Sequence, residues 1–235
     1  MRLPHKTLEK KLFGNGYHYV IGVDEVGMAC LAGPVYVCAV LFTPRFFKKT
    51  HKKLRWLRDS KQLLPHQREK FYNELLKERG IKYRLASCSP VTIDKINIYQ
   101  AARLAMRRAI KRLVLSSKYQ VLSGSKKRIP KISLNTKYLI PNTIILVDGK
   151  TPIKGLNLPQ QAIIKGDRKV FAIACASIIA KVTRDRLMIR LAKRYPQYGL
   201  EKHKGYPTKL HKAMLAQHGI CKIHRKSFRP VAELL

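Results

Sequence analysis

The chain has 235 residues, 46% of them hydrophobic and 26% charged, enough to bury one large core or one core with a small appendage. Its 49 Lys and Arg against 13 Asp and Glu give a net charge of +36, which attracts phosphate backbones and points to nucleic acid ahead of anionic membranes or ribosomal assembly. The pattern argues against a membrane span, a secretory leader and a disulfide or zinc framework. No apolar run approaches roughly 20 residues, the first residues lack a signal-like segment, and the five cysteines contain no Cys-x-x-Cys pair; a cytoplasmic protein is expected.

In chain order, Tyr17 to Val26 and Pro34 to Phe42 read as apolar strands joined by a turn region from Gly27 to Gly33. Lys48 to Lys61 is a basic connection holding the single tryptophan, Trp56. Pro65 to Arg79 has helical spacing, with Pro65 suited to the first turn and Gly80 to the stop. A strand is expected over Ile81 to Ser87, then one long amphipathic helix over Pro90 to Leu115 with Ile93, Ile96, Ala101, Leu104 and Ala105 on its apolar side. Ser116 to Asn142 reads as a basic surface loop. Strands follow at Ile144 to Asp148 and Ala162 to Lys165, then a buried helix over Arg168 to Arg194 and a shorter one over Pro207 to His218, closed by Gly219. This order of strands and helices predicts an α/β fold, a mixed sheet covered by helices.

Four carboxylates stand out in so basic a chain. Asp24 and Glu25 lie inside the apolar run Val20-Ile21-Gly22-Val23-Asp24-Glu25-Val26-Gly27, and burying an unpaired carboxylate costs several kcal/mol unless a cation or donor compensates it. Asp148 closes Ile144-Ile145-Leu146-Val147-Asp148-Gly149, and Asp167 follows Ile163-Ile164-Lys165-Gly166. Carboxylates converging from neighbouring strand ends suit magnesium or manganese, hard ions that take oxygen ligands and keep sites for water and phosphate. The blander alternatives are surface ion pairs and, for Asp167, an N-cap for the helix beginning near Arg168. Asp185, four residues after Lys181 and flanked by arginines, reads better as a structural ion pair than as a ligand. His203, His211 and His224 lack metal-like spacing and read as structural or phosphate-side groups.

Gly22-Val23-Asp24-Glu25-Val26-Gly27 followed by Ala32-Gly33-Pro34 resembles the opening of ribonuclease HII. The similarity continues in order through Asp59-Ser60-Lys61, Val147-Asp148-Gly149, Lys165-Gly166-Asp167, the run Ala176 to Arg186, His203-Lys204-Gly205-Tyr206 and His224-Arg225-Lys226-Ser227-Phe228, covering roughly residues 17 to 232. It implies a ribonuclease H-like α/β fold with a small helical carboxy-terminal extension: an N-terminal segment over 1–16, a catalytic domain over 17–195, and residues 196–235 completing the substrate site. It implies an endonuclease that cuts the RNA strand of RNA–DNA hybrids with 5′-phosphate products and removes ribonucleotides from DNA in replication and repair. Asp24, Glu25, Asp148 and Asp167 are then the catalytic, metal-binding acids for Mg2+ or Mn2+. Gly27, Met28, Ala29, Ser60, Lys61, Lys181 and Tyr206 are the implied substrate contacts, with Tyr206 sensing the sugar near its 2′-hydroxyl. A monomer acting without a membrane is the implied state.

One departure matters. The family has Gly-Arg-Gly after the Asp-Glu pair, where this chain has Gly27-Met28-Ala29. The arginine's planar donor fork is gone, and Ala29 puts a β-carbon where close approach or a positive φ would be penalised. Metal binding is expected to survive and recognition of a single embedded ribonucleotide to weaken. The rival readings are a non-catalytic basic nucleic-acid-binding protein that retains the fold, and a different metal nuclease of the same fold acting on DNA junctions. The intact acidic quartet argues against the first, and the ordered motifs with Tyr206 argue against the second.

Overall fold

Residues 3–48, 51–122 and 142–235 are described in the computed structural model of the chain, the side chains of 117–122 excepted. Strand β1 (Tyr19–Val26) runs through the middle of a five-stranded sheet ordered β3-β2-β1-β4-β5. β2 (Val35–Phe42) pairs antiparallel with β1, and β3 (Ile81–Cys88) antiparallel with β2, in the register Val35 opposite Cys88. β4 (Thr143–Asp148) lies parallel to β1, and β5 (Gln160–Ile163) parallel to β4. Because side chains alternate along a strand, Val20 joins one core layer while Ile21 and Val23 join the other. A central strand with both faces covered must be apolar nearly throughout, as β1, β2 and β4 are.

The helices number ten among the described residues: α1 (Thr7–Gly14), α2 (Pro44–Phe47), α3 (Pro65–Lys77), α4 (Pro90–Ile96), α5 (Ile98–Leu122), α6 (Gly166–Lys169), α7 (Phe171–Arg194), α8 (Leu200–His203), α9 (Lys209–His218) and α10 (Arg229–Ala232). One sheet face carries α7, with α3 packed against it in the same core layer; the other carries α5. Helix α7 buries residues on several sides, from Phe171 through Ala180 without interruption. Gly22 lies where α7 crosses β1: a β-carbon there would sit 2.3 Å from the Ala172 backbone. Residues after Arg194 build a separate small core of Leu31, Met188, Tyr198, Leu200, Leu215 and Val231 against the start of the chain's first hairpin.

Four expectations are corrected. The helix expected over Pro90 to Leu115 is broken at Asn97, which takes φ +62° and accepts the Gln100 N–H on its side chain (3.0 Å), so that it starts a new helix. That new helix continues through Ser116 to Leu122, where a loop was expected; the rest of the loop, 123–141, lies outside the described residues. The last expected strand begins earlier, at Gln160, and ends before Lys165, whose φ of +55° leaves the extended region. The helix expected over Arg168 to Arg194 is interrupted at Val170, held extended by a parallel bridge to His5. Helix α1 was not foreseen: no side-chain cap marks its start. No helix among the described residues is long and apolar enough to cross a membrane.

Candidate active site

The parallel pairing of β1 and β4 brings Asp24 and Asp148 to the same end of the sheet, and the turn after β5 brings Asp167 beside them. Oxygens of Asp24, Asp148 and Asp167 all lie within 4.8 Å of one another. Each is fixed from behind. Asp24, only 5% exposed, accepts the Glu25 N–H (2.8 Å), and Asp148 accepts the Gly166 N–H (2.7 Å). Asp167 faces the Lys61 ammonium at 3.8 Å. It is the second residue of α6, whose N-cap position is Lys165, so the N-cap alternative does not hold. Glu25 stands outside this trio. Alternation sends it to the α5 side, where it lines a groove with Met28, Asp148 and Thr151.

Electrostatics make the cluster hungry for a cation. Burial, then the charges of Glu25 and Asp148, raise Asp24 well above the usual carboxylate range. Burial, then Asp148, pushes Glu25 up to about 7; Asp167 is raised by burial and by Asp59 and Asp148. Burial opposes the charge on Lys61, but Asp167, Asp24, Asp59 and Asp148 together outweigh it and raise its ammonium. A set of crowded carboxylate oxygens with one lysine nearby fits a hard divalent ion by donor chemistry and by uncompensated charge.

The substrate-side elements converge around the turn after β1. Gly27 has φ +92°, and a β-carbon would meet Arg184 Nε at 2.4 Å. Arg184, fully buried on α7, donates to the carbonyls of Ala32 (3.0 Å), Pro34 (3.1 Å) and Lys204 (2.9 Å). Arg225, also fully buried, donates to Met28 (3.0 Å) and Gly33 (3.0 Å). The Leu31 N–H donates to Gly205 (2.8 Å), next to Tyr206, whose ring lies 5.4 Å from Lys181 Nζ and 5.9 Å from the Arg184 guanidinium. Burial and Cys30 push the Tyr206 phenol up to about 12, so it stays a donor.

The implied contacts separate into two sets. Gly27, Met28 and Ala29 follow β1 directly, with Met28 lining the groove of Glu25 and Asp148; Lys61 faces Asp167, and Tyr206 lies beside Arg184, which packs under Gly27. Ser60 does not face outward: it is buried, its hydroxyl 2.9 Å from that of Ser177, which in turn bonds Asp24. Lys181 is tied to Asp185 at 2.8 Å, the structural pair expected of Asp185, and serves the Tyr206 ring. The conformational half of the penalty expected at Ala29 does not arise, because only Asn97, Asn142, Lys165 and Lys204 have positive φ among the described non-glycine residues; its β-carbon stands exposed on the turn. His203, His211 and His224 are buried and bond to one another or to backbone groups, as structural residues do. Sequence reasoning missed four supports. Asp59, 1% exposed, accepts the Lys61 N–H (2.9 Å) and the Arg168 guanidinium (3.1 Å); Ser177, Arg184 and Arg225 are the others. Scarcity of acids was the available signal for Asp59; nothing local marked the arginines as buried.

Residues 21–231 match the family model described as ribonuclease HII. The chain belongs to the ribonuclease HII family. It is 44% identical over 221 residues to ribonuclease HII of Caldicellulosiruptor saccharolyticus, covering 94% of this chain and 92% of that one. The ribonuclease HII of Chlorobium chlorochromatii is 40% identical, with 96% of both chains covered. The crystal structure of ribonuclease H2 from Pyrococcus horikoshii superposes with a TM-score of 0.62 at 26% identity, over 92% of this chain and 96% of that one. Within this ribonuclease HII family member, Met28 is partly buried against the α5-side core, and its carbonyl is the atom that Arg225 holds.

Proposed function

We propose that the protein is an endonuclease hydrolysing the RNA strand of RNA–DNA hybrids to 5′-phosphate and 3′-hydroxyl ends, with Asp24, Glu25, Asp148 and Asp167 holding Mg2+ or Mn2+. The observation carrying this reading is the convergence of Asp24, Asp148 and Asp167 within 4.8 Å at the sheet end, in a chain matched to the family over 21–231. A divalent ion bound there would polarise the scissile phosphate and favour ionisation of the attacking water. Lys61, set by Asp59, holds a neighbouring phosphate oxygen. Tyr206, kept protonated, meets the ribose, and backbone groups of Gly27 to Ala29 approach the same sugar. Residues 17–195 form the catalytic unit and 196–235 complete the substrate site, through the grip of Arg225 and Gly205 on the turn. The protein acts as a cytoplasmic monomer on hybrids and on ribonucleotides embedded in DNA. A purely binding role has little support, since a polyanion binder gains nothing from crowded carboxylates on its binding face.

Cleavage of two labelled duplexes tests this, one a continuous hybrid and one DNA with a single ribonucleotide, with Asp24→Asn as control. The hybrid should be cut with either metal and the control should leave it intact. Cutting by Asp24→Asn, or none by the wild type, would refute the reading. The single ribonucleotide should be cut less efficiently, because Met28 offers no donor fork, and Met28→Arg should narrow the gap. Equal efficiency in the wild type would show that the turn's backbone alone reads the sugar.

A further inference from the structure

A second basic concavity lies on the α7 side, away from the sheet end. It is an open groove of about 1080 Å³ lined by His5, Lys6, Lys10, Lys52, Arg55 and Trp56, over a floor of Phe47 and Phe171. No carboxylate lines it among the described residues. Trp56 is 57% exposed, with the Arg55 guanidinium 5.2 Å from its ring, and the Lys6 ammonium stands 4.6 Å over Phe171. A generally basic surface explains the charge but not the indole, which gains nothing from water contact.

Two short arms join this groove to the carboxylates. One runs from Asp167 through Arg168 and Lys169 to Phe171, with the His5 N–H donating to the Lys169 carbonyl (3.0 Å). The other runs from Lys61 back through Arg58 to Leu57, a wall of the groove. Each arm spans four residue steps, at most about 14 Å of chain. That corresponds to about four nucleotide steps along a strand. A polyanion at the carboxylates therefore meets the groove with its flank, along a path studded with cations.

Resting on the activity proposed above, we propose that this groove is a single-strand site that takes an unpaired extension of the substrate, with a base stacked on Trp56 and its phosphates on Lys6, Lys52 and Arg55. A base inside a duplex has both faces covered, whereas an unpaired base can lie flat on an indole, and basic grooves with exposed aromatics suit single strands of any sequence. The protein thereby favours hybrids next to a gap or flap over fully paired ones.

Trp56 is the only tryptophan, so its fluorescence reports on the groove in the unaltered protein. Binding is measured without divalent metal, for a blunt hybrid and for hybrids carrying a single-stranded DNA extension at each strand end in turn. An extension at one end should quench Trp56 and tighten binding roughly tenfold. Trp56→Ala should abolish that gain, and Lys52→Glu with Arg55→Glu should reduce it, leaving blunt-hybrid affinity and cleavage unchanged. Equal affinity for blunt and extended hybrids would overturn the proposal. So would a Trp56→Ala loss shared by both substrates, which would make the groove a duplex contact. Absence of metal-dependent cleavage of the blunt hybrid would instead defeat the activity itself, by a separate readout.

Discussion

Asp24 is wedged among Ser177, the Glu25 N–H and the charges of Glu25 and Asp148, so without a metal its ionised form is opposed by burial and repulsion together. Removing one charge relieves the metal-free protein while destroying the ion site. Asp24→Asn is expected to raise the melting temperature in chelator by about 2–4 °C, the shift that roughly 1 kcal/mol gives a domain of this size. Magnesium should then stabilise the wild type and not the variant, since an ion stabilises only the state that binds it. Melting curves with and without metal check both. The acids themselves were legible in the sequence, as carboxylates beside glycine at the ends of apolar runs. Their supports were not. Ser177 reads as one more small residue in an apolar helix, and nothing in its neighbours says that it faces Asp24.

At the scale of elements, α7 does two tasks: its first half packs under the sheet, and Arg184 in its second half clamps the turn after β1. Arg184→Met keeps much of the volume but strands the carbonyls of Ala32, Pro34 and Lys204, at about 1–3 kcal/mol for each left unpaired. A loss of about 4 kcal/mol in denaturant unfolding is expected, with a raised KM for the hybrid. The carboxy-terminal elements hold a relay of neutral histidines. The Cys221 N–H donates to His224 Nδ1 (3.0 Å), His224 Nε2 meets His211 Nε2 at 3.3 Å, and His211 Nδ1 donates to the Tyr206 carbonyl (3.0 Å). Burial lowers both His211 and His224 to about 4 from an ordinary 6.5. The unfolded chain therefore binds protons first on acidification. Their contribution is whole above pH 6.5 and declines as pH falls towards 4. His211→Gln should flatten that part of the pH–stability curve, as thermal melts across this range would show. The break at Asn97 escaped sequence reading because apolar spacing continues across it, from Ile93 to Ala101.

For the molecule as a whole, the net charge of +36 leaves few acids free, and Glu9 is buried on α1 with one oxygen accepting the Ala172 N–H (2.8 Å) and the other unpartnered. Burial raises its carboxyl to about 7 from an ordinary 4.5. Here the folded state binds the extra proton. The contribution is full below pH 4.5 and is lost as pH rises through 7, opposite in sign to the histidines. Glu9→Gln keeps the bond to Ala172 and removes the penalty, so it should stabilise the protein by about 2 kcal/mol at pH 8 and by little at pH 5. Chemical denaturation at the two values separates this from the histidine effect.

Composition and pattern alone determined that the protein is a basic α/β molecule directed at a polyanion, that the run around Asp24 is a central strand, and that Asp24, Glu25, Asp148 and Asp167 are its unusual acids. Those features follow from local rules: a carboxylate in an apolar strand must be compensated, and a two-residue period must match a sheet face. Tertiary structure alone decided that Glu25 stands apart from the other three, that Ser60 faces inward, and that Ala29 is unstrained. It also decided that two arginines on distant segments are buried around one turn, and that Trp56 stands exposed on a groove it shares with Lys6 and Phe171. Each depends on segments far apart in the chain meeting in space, and no local spacing encodes such a meeting.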